Sequence, residues 1–281
     1  MAFGRATTAD EVLAGIDLHG KVAIVTGASS GLGAEIVRAL RAHGADVVAA
    51  VRDPSRDEDT ASAVELDLAS LDSVRTAGER LTARLPRIDL LFNNAGVMAT
   101  PEARTIDGFE LQMATNHLGH FLLTALLAPS LAPDARVVNT TSLGHMITGI
   151  VWDDPHFRTN PYDKWRAYGQ SKTANILFTR GLVDRDVIAH AVHPGAVDTG
   201  LTRHLEREEL AFVEQASAQE SKSLQQGASS PLWAAIAAGI PNGSYIADCQ
   251  VAEPAAHAID PVEVDAFWAW SEQQVGHAFR A

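Results

Sequence analysis

Lys21-Val22-Ala23-Ile24-Val25-Thr26-Gly27-Ala28-Ser29-Ser30-Gly31-Leu32-Gly33 is the stretch on which the reading of the chain turns. Its first half is a short apolar run rich in β-branched residues, the pattern of a strand buried on both faces. Glycines follow at 27, 31 and 33. Ala34 to His43 then carries Ile36, Val37 and Leu40 at helical spacing, and Gly44 suits the C-terminal cap. A strand, a glycine loop and a helix N-terminus together form a pyrophosphate site: glycines admit the phosphates to the backbone, and the exposed helix N–H groups attract their charge. The spacing is G-x-x-x-G-x-G and not the commoner G-x-G-x-x-G. A plain glycine-rich turn is the alternative, and the flanking elements argue against it.

Reading outward, strands are expected at Asp46–Val51, Ala63–Leu68, Ile88–Asn93, Ala135–Thr141, Val187–His193 and Gly243–Ala247. Helical patterns fall at Ser70–Leu85, Asp107–Leu131, Pro231–Ile240 and Pro261–Gly276. This alternation predicts one Rossmann-type α/β domain over residues 1–281, with a doubly wound parallel sheet of about seven strands and helices on both faces. Ligands in such a sheet sit beyond the carboxyl ends of the strands. The cofactor part is placed at about residues 20–200 and a substrate lid at about 199–228. Phe267, Trp268 and Trp270 on the last helix suit either core or a subunit contact, and a homodimer or homotetramer is the expectation.

Composition narrows the function. The net charge of −13 argues against nucleic acid and against anionic membrane surfaces. No apolar run approaches the roughly 20 residues of a membrane-spanning helix. Met1–Gly20 is polar, without the basic start and apolar centre of a secretion signal. Cys249 is the single cysteine, which fits a reducing compartment. The expectation is a cytoplasmic protein that acts on a small molecule.

Tyr168-Gly169-Gln170-Ser171-Lys172 carries the chemistry. A tyrosine and a lysine four residues apart share one helix face. An ammonium near a phenol, with a cationic cofactor beside it, favours the phenolate, so that the tyrosine exchanges a proton far below its ordinary pKa of about 10. Taken alone, the pair is equally a surface pair on an amphipathic helix.

The chain resembles the short-chain dehydrogenase/reductase family. Thr26–Gly33 (TGASSGLG), Asn93-Asn94-Ala95-Gly96, Asn116, Ser142, Tyr168-x-x-x-Lys172 and Pro194-Gly195 match its motifs in the family's order. The stretches around Asp153-Asp154, Lys172–Arg180 and Gly243–Cys249 resemble its retinol-dehydrogenase and WW-domain-oxidoreductase branch. The resemblance implies a catalytic set of Asn116, Ser142, Tyr168 and Lys172. It implies cofactor contacts from Gly27, Ser29, Ser30, Gly31, Leu32, Gly33, Asn94, Ala95, Gly96, Tyr168, Lys172, Pro194, Gly195, Val197 and Thr199. Asp67 caps the adenine amino group and Leu68 lies over the ring in this reading; a turn or N-cap carboxylate is the alternative for Asp67. Asn116 orients a relay water, or bonds a neighbouring backbone, or both. Thr141 is a second hydroxyl beside Ser142.

Ser142 and Tyr168 are 26 residues apart, an insertion relative to many family members. Its Trp152, Phe157, Tyr162 and Trp165, with Asp153, Asp154 and His156, wall a substrate pocket or pack the insertion onto the body. The polar stretch Leu201–Gln226 is a substrate lid or a solvated helix face. His117 and His120 lack a matching second ligand pair, so no metal is expected.

An NAD enzyme carries an acidic residue about 20 residues beyond the glycines, at the end of the second strand. Val51 occupies that place and Arg52 follows. A guanidinium there can fork onto a 2′-phosphate, with Ser29 adding a hydroxyl, unless Arg52 is only an exposed strand-end arginine. NADP(H) is therefore expected over NAD(H), with Asp53 held outward by Pro54. The reaction implied is reversible hydride transfer between this cofactor and an apolar carbonyl or secondary alcohol. A non-catalytic dinucleotide-binding sensor or scaffold is the rival, and an isomerase or dehydratase using the cofactor transiently is a second. A sensor has no need of all four catalytic residues.

Overall fold

The computed structural model describes residues 3–56, 62–197, 200–209 and 221–280. β1 (Val22–Thr26) lies at the centre, paired in parallel with β2 (Asp46–Val51) on one side and β4 (Ile88–Asn93) on the other. β3 (Val64–Glu65) extends the sheet beyond β2. β5 (Leu131–Thr140), β6 (Ile188–His193) and β7 (Tyr245–Ala247) extend it beyond β4, all in parallel. The order β3-β2-β1-β4-β5-β6-β7 is completed by β8 (Gln250–Ala252), antiparallel to β7.

Seven parallel strands are present as expected, and β8 adds an antiparallel eighth. Asp248 and Cys249 both have positive φ, 51° and 55°, the backbone of a two-residue hairpin turn. Asn-Gly announces such a turn in a sequence; Asp-Cys does not, which is why the strand was not legible.

Helices cover both faces, as expected. One face carries α1 (Ala9–Leu13), α2 (Gly31–Ala42) and α7 (Leu224–Ile236), packed through Leu13, Ile36, Leu40 and Leu232. The other carries α3 (Leu71–Arg84), α4 (Leu111–Met113), α5 (Gly119–Leu127), α6 (Lys164–Val183) and α8 (Pro261–Val275). The short α1 was not foreseen, although Thr8 and Glu11 form a capping box there. Similarly, Ser223 and Gln226 form a capping box that starts α7 at Leu224, so Pro231 lies inside this helix instead of opening it. Residues 224–228 accordingly form the start of α7.

α8 decides the alternative left open for its aromatics. Trp268 packs edge-on against Phe121 at 4.9 Å and beneath the Arg185 guanidinium at 3.6 Å, and Phe267 stands 4.7 Å from the His117 ring. Phe267 and Trp268 are core within the chain, so neither offers a subunit contact.

Candidate active site

The glycine loop comes first because β1 delivers it. Gly27 has φ 68°, and a Cβ there would meet the Ala95 Cβ at 2.8 Å. A Cβ on Gly33 would run into the Gly27 carbonyl and stand 2.7 Å from Asn94 Nδ2. The two loops at the ends of β1 and β4 thus touch where only glycine fits. Ser30, at the N-cap of α2, makes no side-chain cap bond, whereas Thr8, Ser70, Asp163, Ser223 and Asp260 each cap their helix. The first N–H groups of α2 are left to a ligand, and the negative end of a pyrophosphate suits them. This cradle fits the diphosphate of a dinucleotide.

Thr26 holds the neighbouring loop in place. Its hydroxyl accepts the N–H of Asn94 at 2.9 Å and of Ala95 at 3.0 Å, and its carbonyl accepts Asn94 Nδ2 at 2.9 Å. Asp67 accepts the Ala69 N–H at 3.0 Å, the turn-carboxylate geometry; its second oxygen is what remains for an adenine. Leu68 packs inward, with its backbone and side chain tight against Gly119. Arg52 stands exposed just past β2. The Asp53 carboxylate bonds the Ser55 N–H at 3.1 Å and hydroxyl at 2.6 Å, so it is engaged in its own turn.

At the other end of the cleft, Gly195 has φ 94°. Val197 fits between Gly227 and Leu32: a Cβ on Gly227 would lie 2.6 Å from Val197 and 3.2 Å from Leu32. Pro194 and Gly195 leave the carboxyl end of β6. Thr199 lies outside the described residues.

Between these ends stand the four catalytic candidates. Tyr168 and Lys172 lie on one face of α6, with the ammonium 5.7 Å from the ring centre. Lys172 Nζ donates to the Thr140 carbonyl at 3.2 Å. The Ser142 hydroxyl accepts the Gly144 N–H at 3.1 Å, and a Cβ on Gly144 would stand 2.7 Å from the Tyr168 ring and 3.6 Å from Ser142 Oγ, so the two side chains flank one glycine. Thr141 donates to the Lys172 carbonyl at 2.8 Å; its hydroxyl is committed to the helix, and Ser142 is the one that faces the tyrosine. Burial pushes the Tyr168 phenol up to about 12 and the Lys172 ammonium down to about 8.

Asn116 sits on a π-helical turn, Ala114–Leu118, between α4 and α5, a local irregularity often found at functional sites. Its Oδ1 accepts the Val97 N–H at 2.8 Å. Its Nδ2 donates to the Val97 carbonyl and to Ser171 Oγ, both at 2.9 Å. The side chain is therefore fully engaged with neighbouring groups, and the main-chain carbonyl meets His120 Nδ1 at 3.0 Å. A Cβ on Gly96 would stand 3.1 Å from Asn116 Oδ1 and 3.5 Å from Lys172 Nζ, so loop, asparagine and lysine converge.

The insertion divides. Trp152 donates to Glu263 at 2.8 Å, His156 reaches Gln274 at 3.1 Å, and Phe157 stacks edge-on with Tyr162. Asp154 gathers the N–H groups of Arg158, Thr159 and Asn160, which hold its carboxyl well below the usual range. These residues pack the insertion onto the body. Trp165 instead joins Met98, Leu201 and Leu205 against Tyr168, which is only 4% exposed. A cavity of about 400 Å³ adjoins them, lined by Pro101, Tyr162, Lys164, Trp165 and Glu209. Leu201 and Leu205 fall in the stretch read as a lid, whereas Met98 went unnoticed in the sequence, since these side chains converge only in the fold. His117 and His120 point apart, to Ser271 and to Thr26, and no metal-binding cluster occurs among the described residues.

The short chain dehydrogenase family model matches residues 21–210, and the chain belongs to that family of oxidoreductases. Retinol dehydrogenase 12 of Mus musculus is 39% identical over 255 residues, covering 84% of this chain and 80% of its own. A crystal structure of a putative uncharacterized protein from Mycobacterium paratuberculosis superimposes with a TM-score of 0.80 at 36% identity, covering 98% of this chain and 100% of its own. A short chain dehydrogenase from Burkholderia cenocepacia, solved in complex with NADP, gives a TM-score of 0.65 at 26% identity, covering 82% and 96%. Among the described residues no helix is long and apolar enough to cross a membrane.

Proposed function

We propose that the chain is an NADP(H)-dependent oxidoreductase that interconverts an apolar carbonyl compound and its secondary alcohol. The observation that carries this reading is the convergence of Ser142 and Tyr168 on Gly144 in front of a buried Lys172. The cradle at α2, the Asn94–Gly96 loop and the Pro194–Val197 segment would hold the dinucleotide, and Tyr168 and Lys172 would flank its nicotinamide end. A bound nicotinamide supplies the hydride for reduction or accepts it in oxidation.

The chain's own residues do the rest. Ser142 donates a hydrogen bond to the carbonyl oxygen and polarises it. Tyr168 gives its phenolic proton to that oxygen as negative charge develops there, and takes it back in the reverse direction. Lys172, 5.7 Å behind the ring, stabilises the resulting phenolate. Asn116 fixes the Val97 backbone and, through Ser171, the helix turn that carries Tyr168. Met98, Trp165, Leu201 and Leu205 exclude water and present an apolar wall to the substrate. Similarity to an NADP complex and the place of Arg52 support NADP(H) as the cofactor. The single, buried Cys249 suits a reducing compartment such as the cytoplasm.

The test is oxidation of NADPH and of NADH by the purified protein against a panel of ketones and aldehydes. Turnover with apolar members supports the reading. Tight cofactor binding without turnover of any member would favour the sensor or scaffold instead.

A further inference from the structure

His120 is the second residue of α5 and is buried at 1% exposure. Its Nδ1 stands 3.0 Å from the Asn116 carbonyl oxygen and its Nε2 2.8 Å from the Thr26 hydroxyl. A carbonyl only accepts, so Nδ1 carries the proton and Nε2 is a lone pair. The Thr26 hydroxyl must then donate to Nε2. Its other capacity, as acceptor, is taken by the N–H groups of Asn94 and Ala95. Every polar atom in this chain of contacts has one consistent role. Burial lowers the imidazole's pKa to about 4, with the Lys172 charge acting in the same direction, so the neutral tautomer persists.

We infer that His120 is a positioning residue that ties the Asn94–Gly96 loop to the main-chain carbonyl of Asn116, setting both against Lys172. The value of this to the site lies in its tolerances. Asn94 and Ala95 stand where a single methyl on Gly33 or Gly27 would collide. A rotation of the Thr26 hydroxyl would redirect its lone pairs and release both loop amides. The alternative acceptor for that hydroxyl, the Phe92 carbonyl at 3.3 Å, lies in a different direction. On the other side, the Asn116 side chain is fully engaged, so its carbonyl is the atom left for a relay water. His120 occupies one of that carbonyl's two lone pairs and directs the other. The catalytic part of this inference rests on the proposed hydride transfer; the loop-holding part does not.

Two substitutions separate the bonds. His120→Asn keeps a donor where Nδ1 stands and loses the acceptor for Thr26. His120→Gln keeps an acceptor near the Nε2 position and loses the donor to Asn116. Amide hydrogen exchange at Asn94 and Ala95, followed by NMR without cofactor, reads the first bond directly. In His120→Asn these two amides are expected to exchange roughly fivefold to tenfold faster than in wild type, the size of one lost buried hydrogen bond. Val137 and Val138 in β5 serve as the global reference. The cofactor Kd should rise by a similar factor. In His120→Gln the two amides and the Kd should stay within about twofold, while kcat falls by the factor of one lost hydrogen bond. In a Thr26→Val background, His120→Asn should add nothing at these amides.

Equal acceleration of loop and β5 amides would reduce His120 to a stability role and overturn the inference. So would identical effects of the two substitutions, or unchanged exchange at Asn94 and Ala95 in His120→Asn. If wild type binds cofactor but turns over no carbonyl, the enzymatic reading fails while the exchange result still decides the loop-holding role.

Discussion

The Lys172 ammonium lies 5.7 Å from the centre of the Tyr168 ring and gives its hydrogen bond to the Thr140 carbonyl, so it stands behind the ring and not on the phenol oxygen. From that place it offsets little of the phenol's desolvation, and burial wins: the tyrosine is pushed up to about 12. Burial in the free protein therefore opposes the phenolate, and the cationic cofactor that the Y-x-x-x-K reading includes is what remains to favour it. Lys172, pushed down to about 8 from 10.5, is the first of the pair to lose a proton. In the reducing direction the lysine must be charged to support a departing phenolic proton. Its lowered pKa means that charge is present below about 8 and lost above it, so kcat/KM for reduction should fall as the pH rises through about 8. Lys172→Met should cut the rate and remove that limb, moving the optimum upward. A Lys172→Met enzyme with the same fall near that pH would assign the limb elsewhere.

Tyr168→Phe keeps the ring against Met98 and Trp165 but removes the proton donor. Turnover should drop at least about 10²-fold, the lower range for general acid–base catalysis, with cofactor Kd nearly unchanged. Activity within about threefold of wild type would exclude this role for the residue.

Leu201 and Leu205 close over Tyr168, and Lys164 pairs with Glu209 at 2.5 Å beside them. Tyr168 as a residue is only 4% exposed beneath this cover, and as a lid this cover moves to admit a substrate. Amide exchange over residues 200–209 should therefore be faster in the free protein than in the cofactor–substrate complex. Lys164→Met should speed exchange there in the free protein and leave β5 unaffected. Equal protection in every state would leave these residues as fixed packing.

Where the chain's local signals and its packing agree, the fold was legible. β1 and the glycine loop are contiguous, so pattern and function share one stretch. Tyr168 and Lys172 are one helical turn apart, and Ser142 ends a strand that aims it at them. What was not legible came from separate segments meeting in space. Nothing near Leu205 or Met98 in the sequence points to Tyr168. Thr141 and Ser142 are equivalent as text, and only the Thr141 bond to the Lys172 carbonyl separates them. His120 reads as half of a weak metal pair, because its partners lie 94 residues away at Thr26 and on its own helix at Asn116. Phe267 and Trp268 have the same composition as an interface; the burial of Trp268 against Phe121 and Phe178 and of Phe267 against His117 is a tertiary fact.

Several buried histidines give the protein an acid liability. Burial lowers His117 to about 3, and His120 and His190 to about 4, from 6.5. Each is neutral in the folded chain, while in the unfolded chain it takes up a proton near 6.5. Below that pH the unfolded state binds more protons, so stability falls as the pH drops from 6.5 toward 4. Each group contributes up to about 1.4 kcal/mol per pH unit in that window. The urea midpoint should decrease steadily from pH 6.5 to 5. A midpoint that stays level over that window would show that these rings are not neutral and dry.

The choice of cofactor rests on the turn after β2. Val51 ends the strand where a ribose-binding carboxylate would stand, and Arg52 follows it, exposed toward solvent. The nearby carboxylate of Asp53 is held by the Ser55 N–H and hydroxyl at 3.1 and 2.6 Å, so local bonds keep it in its own turn. A 2′-phosphate arriving here would meet a guanidinium able to fork onto it. A charge-assisted hydrogen bond contributes about 1.5–3 kcal/mol, which corresponds to a preference for NADP over NAD of roughly 10- to 150-fold. Arg52→Asp should abolish or reverse that preference in the ratio of kcat/KM values. It should leave the rate at saturating cofactor within about tenfold, since the substitution lies at the adenosine end of the cleft, away from Tyr168. Ser55→Ala should weaken the preference more modestly, because it removes the hydroxyl bond but keeps the N–H bond that holds the Asp53 carboxylate in its turn. A wild-type protein that uses NAD better than NADP would show that Arg52 is only an exposed strand-end residue.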